Sequence, residues 1–411
     1  MNVLIIAQYF PPDLGGSATR AYNMARGLTL NGCNVTVITA FPHYPHGEVP
    51  KEYRWLPLKV EWFKGIKVIR VFILPLESRG LIRRIILFMT FIVTSLFALP
   101  IIGKVDVIWA ANPDIIAIIP SLIYSKLKRY PIVSNVDDLA IEDLFDLELI
   151  KKKSLISTII QILPRTLYNK VKALTPVSPG YIETLTKKYG VNKDKIHVIY
   201  GGVNLSIFKP IKLPKFNPNE FIALYSGAFS TAYDFDQVLM AAKIIETQDK
   251  KIKFIIQGKG ELSSYIKSKV KELELKNVVI MDKLLSRMEV SELLNQADVL
   301  LQPLGDFGKP HMGISTKLFE YQAVGKPIIC CSSGTPGKYI EETKSGIVVK
   351  PRDHEELAKV ILYLKNNAEV CRKLGENGRK YVEENASIEK IGLKMKHVLK
   401  QYLVKSSYVV E

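Results

Sequence analysis

The sequence predicts an α/β protein made of two doubly wound parallel-sheet domains in tandem, facing a cleft. Three observations predict it. Short apolar runs alternate with helix-periodic amphipathic stretches along the chain. The alternation breaks once, at the proline-rich PIKLPKFNPNEF from Pro210, and then resumes. The chain has 411 residues, too many for one ordinary core but suited to two domains of roughly 200 residues each. The expected bounds are 1–205 and 206–383, with a C-terminal helix over 384–411 packing back on the first domain.

In the first half, VLIIAQYF is a strand and SATRAYNMARGLTLNG a helix ending at Gly32. NVTVITAF, VDVIWAAN from Val105 and YPIVSNV from Tyr130 are further strands, and KALTPVS and KIHVIYGGV close the half. After the linker, FIALYSGAF, KFIIQG, VVIMD, ADVLLQPL, KPIICCS and GIVVKP read as strands separated by helices. Open parallel sheets bind ligands at the carboxyl ends of their strands, so the loops after these strands are where chemistry is sought.

Composition narrows the partners. Hydrophobic residues are 47% and charged residues 24%, which describes a folded chain. The net charge of +17 favours anions: a nucleotide diphosphate, an anionic lipid or a nucleic acid. No helix-turn-helix, zinc-finger or RNA-module pattern supports nucleic acid. Cys33, Cys330, Cys331 and Cys371 form no CxxC pair, which fits a reducing compartment. The start, MNVLIIAQYFPP, reads as a strand and not a signal peptide, so a cytoplasmic location is expected.

Two segments point to a membrane surface. Residues 85–102 carry no charge, but strands of one sheet flank them on both sides, which argues against a crossing. They are either a core helix or one lying in the bilayer surface. Lys151 to Thr175 has six basic residues, no acidic one, and Leu155, Ile156, Ile159, Ile160, Leu163 and Leu167 at helical spacing. A basic amphipathic helix suits an anionic surface, where each nearby cation adds about 1 kcal/mol. Peripheral contact with the inner membrane face through 81–102 and 151–175 is therefore expected.

The loop PPDLGGSATR joins the first strand to the first helix. Gly15 and Gly16 let the backbone approach a ligand, Ser17 is a candidate cap, and Arg20 lies one turn in, within reach of a phosphate or an acceptor charge. In GISTKLFEYQAVGKP, Gly313, Ile314, Ser315 and Thr316 open a helix whose amides suit a diphosphate. Lys317 adds a cation, and Glu320 lies one turn deeper, where a carboxylate accepts from both hydroxyls of a ribose. Asp234 and Asp236 form an Asp-x-Asp pattern, but they start a helix and read as caps, not metal ligands. His43 and His46 have no third ligand nearby, and His43 is a candidate acceptor contact.

Taken together these stretches resemble the GT-B glycosyltransferases of family GT4, in a branch that builds cell-surface polysaccharides. The resemblance rests on PPDLGGSATRAYNMARGL, NVDDLAIEDL, VIYGGVNLSIFKP, LYSGAFSTAYDFDQVLMAAK, NQADVLLQPL and STKLFEYQAVGKPII, and it covers nearly the full length. It implies two Rossmann-like domains and a retaining transfer from a nucleotide-sugar, UDP-linked by analogy, with no protein nucleophile, no cofactor and no essential metal. The basic, apolar first domain suggests a lipid-linked saccharide at the membrane as the acceptor.

By the same resemblance Glu320 is the ribose residue, and Gly15 and Gly16 face the diphosphate and sugar. Lys317 matches a lysine of the branch, Asp138 lies near the sugar, and Gly227 and Gly258 close the donor-side strands, Gly258 near the base. Gly16, Asp138 and Lys317 are then the catalytic candidates. Two departures stand out. Met312 occupies the place of a family glutamate near the donor sugar, and GAFSTAYDFD from Gly227 lacks the Arg and Lys that many members place there. The cation for the diphosphate must come from elsewhere, with Lys317, Lys309 and Arg20 as candidates. A sugar-nucleotide 2-epimerase of the same fold and a non-catalytic, membrane-docked binder of nucleotide-sugars are the alternatives.

Overall fold

A computed structural model describes residues 1–44, 47–74, 76, 81–138, 155–214, 217–305 and 310–403. The chain divides into two compact units, Met1–Gly201 with Ile388–Glu411, and Gly202–Ser387. The second unit opens at Gly202, upstream of the proline-rich stretch.

The first unit is a seven-stranded sheet. Its strands are β1 (Asn2–Ala7), β2 (Asn34–Ala40), β3 (Leu58–Phe63), β4 (Ile66–Val71), β5 (Val107–Asn112), β6 (Ile132–Val136) and β7 (Ala173–Pro176), in the order β3-β4-β2-β1-β5-β6-β7. All pairs are parallel except the β3–β4 edge hairpin. The central strands are buried throughout, as expected where helices cover both faces. KIHVIYGGV, expected as a strand, is not one. His197 and Ile199 only donate their amides to Leu174 and Pro176, which leaves it an extended segment on the β7 edge.

Helix α1 (Gly16–Leu30) covers one face with Ala21, Met24, Ala25 and Leu28 over Val3, Ile5 and Ala7. The far end of the chain, α12 (Ile388–Gln401), lies against it and adds Ile391, Met395 and Leu399 to the same core. The crossing is close: a Cβ on Gly27 would stand 2.4 Å from the Ile388 carbonyl oxygen, and one on Gly392 would stand 2.1 Å from the Gly27 carbonyl carbon. Only glycine permits that approach.

The other face carries α2 (Leu81–Ser95), α3 (Asp114–Lys128) and α4 (Leu155–Lys170). The segment from Ile85 is thus a 15-residue helix with a short 3-10 turn after it, packed through Leu87, Phe91 and Ile92. Its outer side stays apolar: Ile82, Ile85, Ile86, Met89, Val93 and Phe97 are exposed, Ile82 to 74%. Among the described residues no helix is long and apolar enough to cross a membrane. In the basic segment from Lys151, Leu163 is exposed and Leu167 buried, while residues 151–154 lie outside the described ones.

The second unit is a six-stranded, all-parallel sheet in the order β10-β9-β8-β11-β12-β13. Its strands are β8 (Phe221–Ala228), β9 (Ile252–Lys259), β10 (Val278–Asp282), β11 (Val299–Pro303), β12 (Ile328–Cys331) and β13 (Gly346–Val349). Helices α5 (Phe235–Gln248) and α10 (His354–Asn366) bury one face with Leu239, Ala242, Leu357 and Ile361. Also in this unit are α6 (Ser263–Glu272), α7 (Arg287–Gln296), α8 (Thr316–Ala323), α9 (Thr335–Thr343) and α11 (Ala368–Asn385).

Candidate active site

In the second unit the site is built around the N-terminus of α8. Ser315 caps it, its hydroxyl accepting from the Lys317 amide at 3.2 Å. The amides of Gly313, Ile314, Ser315 and Thr316 bond to no other described residue, so four donors converge at the positive end of a helix dipole. The entering loop is pinned: His311 contacts the Gly305 carbonyl at 2.6 Å through Nε2, and its own carbonyl accepts from the Thr335 amide at 2.8 Å. Tyr321 fixes the helix to the end of β8, its hydroxyl accepting from the Ser226 amide and donating to the Ser226 carbonyl, each at 3.2 Å.

Lys317 reaches across to that strand end. Its Nζ donates to the Tyr225 hydroxyl at 3.0 Å and lies 4.6 Å and 3.9 Å from the Tyr225 and Tyr233 ring centres. Gly227 makes room, since a Cβ there would stand 2.1 Å from Lys317 Nζ. Gly258 sits opposite Gly227 in the β8–β9 register, at φ +154°, where a Cβ would overlap the Gly227 carbonyl oxygen at 1.7 Å. The two glycines therefore differ: the first yields to a side chain, the second to backbone. Burial pushes the Tyr225 and Tyr321 hydroxyls well above their usual range, so both act as neutral hydrogen-bonding groups.

Glu320, one turn into α8, is buried and carries a partner the sequence did not suggest. Arg287 at the start of α7 donates to Oε1 at 2.6 Å. The residues are 33 positions apart, and no spacing rule connects them. Asp234 caps α5 by accepting from the Gln237 amide, and Asp236 accepts from the Tyr265 hydroxyl. Among the described residues no group of three His, Cys, Asp or Glu is placed to hold a metal ion. Lys309 lies outside the described residues.

In the first unit the loop after β1 is a second polar centre. Asn112 accepts from the Tyr9 amide and donates to the Tyr9 and Ser17 carbonyls, which sets the path of the loop. Gly15, at φ +109°, caps α1, and space is open where a Cβ of Gly16 would stand. Asp13 accepts from the His43 and Tyr44 amides at 2.8 Å each. Burial, the largest influence on it, raises the Asp13 pKa against the lowering effect of His43. His43 donates from Nδ1 to the Phe41 carbonyl at 2.8 Å and stacks on Tyr9, and its Nε2 bonds to no described residue. A cavity of about 350 Å³ opens beside them, with Glu48, Lys51 and Arg54 also in its lining. His46 lies outside the described residues.

Arg20 departs from expectation. It is buried, not ligand-facing, and its guanidinium donates to Asn135 at 2.6 Å and to the Ile199 carbonyl at 2.9 Å, with Asp137 at 2.8 Å. Burial lowers its pKa to about 10, opposed chiefly by Asp137. Its charge is answered inside the unit, because the side chain reaches from α1 to Asn135 of β6 and the Thr175 carbonyl of β7. Asp138 is exposed, one position beyond the Asp137 that meets Arg20.

Sequence reasoning also missed Asp13, Asn112, Asn135 and Asp137, which lack a motif of their own. Their signal is collective. Among the described residues, buried polar atoms without a partner include Gln8 Nε2 and Oε1, Asp13 Oδ2, His43 Nε2 and Arg70 Nη1. Such atoms are few in folded proteins, so a set of them marks a candidate polar site.

Two parallel-sheet α/β units in tandem are the parts of a GT-B fold. Residues 14–207 match the model of Glycosyltransferase Family 4, and residues 209–381 match that of Glycosyl transferases group 1. The chain belongs to the family-4 type of GT-B glycosyltransferases. It is 28% identical over 196 residues to the putative colanic acid biosynthesis glycosyltransferase WcaL of Escherichia coli, a match covering 47% of each chain. The chain thus spans about half the length of that relative. Among solved structures it resembles sucrose-phosphate synthase from Thermosynechococcus elongatus, at TM-score 0.75 and 16% identity over 98% of both chains. It also resembles Anabaena HepE in complex with UDP, at TM-score 0.69 and 15% identity over 98% of this chain and 100% of that one.

Proposed function

We propose that the protein is a retaining glycosyltransferase of cell-surface polysaccharide assembly that takes sugar from a UDP-sugar and gives it to a lipid-linked saccharide. The observation that carries this reading is the tip of α8, where four unpaired amides, the Lys317 amine and the Glu320 carboxylate succeed one another along one turn. A diphosphate fits the amides and the cation, and a ribose diol fits the carboxylate. Lys317 supplies from α8 the charge that many relatives place just after β8. HepE, a structural relative, was solved with UDP, which supports uridine as the base.

Catalysis on this reading is positioning plus stabilisation of charge on the leaving diphosphate as the glycosidic bond breaks. Gly313 to Thr316 and Lys317 meet that charge, with Gly258 shaping the base side. Within the first unit, Asp13 and His43 offer polar atoms to saccharide hydroxyls. The exposed apolar side of α2, with Arg83 and Arg84 near its start, suits the inner face of an anionic membrane and delivers a lipid-linked acceptor to the first unit.

The test is nucleotide release from a panel of UDP- and GDP-sugars, with and without membrane lipid extract, in wild type and Glu320→Ala. Release that needs lipid and collapses in the variant is expected. Release without lipid, with an epimerised sugar as product, would instead identify the 2-epimerase. Tight nucleotide binding without turnover on any donor would identify a non-catalytic binder.

A further inference from the structure

We propose that Arg287 is a positioning residue for the donor: it holds one oxygen of the Glu320 carboxylate so that the other faces the ribose hydroxyls. The proposal rests on the reading of Glu320 as the ribose residue, and it adds a second residue to that contact.

Glu320 has 6% of its side chain exposed, and a carboxylate that deep is costly without a partner. Arg287 supplies one through Oε1 at 2.6 Å. The other oxygen, Oε2, bonds to no described residue and is not among the atoms sealed from solvent. A carboxylate held by one oxygen cannot swing, so the free one keeps a fixed direction.

Arg287 is itself held from two sides. It is the first residue of α7, whose start is locked by a reciprocal cap: Ser286 accepts from the Glu289 amide, and Glu289 accepts from the Ser286 amide. Its guanidinium lies 4.7 Å from the ring centre of Phe208, which is fully buried. Yet 44% of the Arg287 side chain remains exposed. An arginine needed only to neutralise a core carboxylate has no reason to keep an open side, whereas one bordering a ligand does.

The experiment is calorimetric titration of the full chain with UDP and with 2′-deoxy-UDP, using the ratio of the two Kd values. A ratio measured on one preparation cancels any loss of folded protein. Wild type should prefer the ribose form by about tenfold or more. Arg287→Gln should bring the ratio below about threefold, and Arg287→Lys, which keeps a cation but not the fork, should restore part of it. GDP and its 2′-deoxy form serve in the same way where UDP does not bind.

Loss of discrimination in Glu320→Gln with full discrimination in Arg287→Gln would overturn the proposal and leave the ribose reading standing. Discrimination retained in Glu320→Gln, or no binding of either nucleotide to wild type, would overturn both. Tighter UDP binding by Arg287→Gln would also overturn the proposal, since Arg287 would then be a plug that the ribose displaces.

Discussion

Gly227→Ala should damage donor binding while leaving the fold intact. The new Cβ would stand 2.1 Å from Nζ and 2.2 Å from Cε of Lys317, and 3.1 Å from the Tyr225 hydroxyl. The first two atoms end a flexible side chain, so the lysine withdraws and the backbone need not move. The stability change is therefore expected within about 1 kcal/mol, helped by the lower entropy of an unfolded chain carrying alanine. The withdrawn amine loses its place over Tyr225 and Tyr233, and with it the diphosphate contact proposed for it. A hydrogen bond to a charged group contributes about 1.5–3 kcal/mol, so UDP affinity should fall about ten- to hundredfold. In a Lys317→Ala background the same change should do almost nothing, because the group it displaces is gone. Gly258→Ala is the contrast: at φ +154° its Cβ meets the Gly227 carbonyl at 1.7 Å, and the fold itself should lose about 3 kcal/mol. Calorimetric UDP titration and thermal denaturation of wild type and the four variants decide the matter. UDP binding by Gly227→Ala as tight as wild type, or an undiminished effect without Lys317, would refute the reasoning.

Three further outcomes are expected. Arg20→Ala should lower stability by about 3–5 kcal/mol by stranding Asp137 and Asn135, with UDP affinity of the folded fraction unchanged; an unaltered Tm with weakened UDP binding would restore Arg20 to the ligand site. Burial raises the pKa of Asp114 from 3.8 to about 6, against the hydroxyl of Tyr168, so the folded state holds an extra proton between those values. That contribution is full below the unfolded pKa and is lost as pH rises through the folded one. Asp114→Asn removes the titration, so the stability lost between about pH 5 and about pH 7.5 should be smaller than in wild type by about 1 kcal/mol; equal losses by denaturant titration would contradict the assignment. Ile85→Asn with Met89→Asn removes two exposed apolar side chains from α2 and should reduce binding to anionic vesicles at least about tenfold without moving Tm, whereas unchanged co-sedimentation would remove α2 from the membrane contact.

Much of the α8 tip was legible before folding. Gly313 to Glu320 form one short window in which cap, amides, cation and carboxylate follow helix geometry, so spacing alone places them. Reading Asp234 and Asp236 as helix-start residues worked for the same reason. The acceptor side was less legible. Arg20 looked like a ligand contact because position along a helix says nothing about what lies beneath it, and beneath it are Asn135, Asp137 and Ile199. KIHVIYGGV has the composition of a strand, but apolar residues at an edge need only a few backbone bonds to be held, and no ladder forms.

The sequence by itself determined the two-unit α/β architecture and the capped start of α8, because both depend on residues close together in the chain: alternating periods, glycines and caps. Tertiary structure alone decided which charges face a ligand and which face one another. Arg287 meets Glu320, Lys317 comes to rest at Gly227, and Arg20 turns inward to Asp137, each across tens of residues. These pairings depend on how strands are ordered and where helices cross them, which no local pattern records, and burial then makes each pairing obligatory.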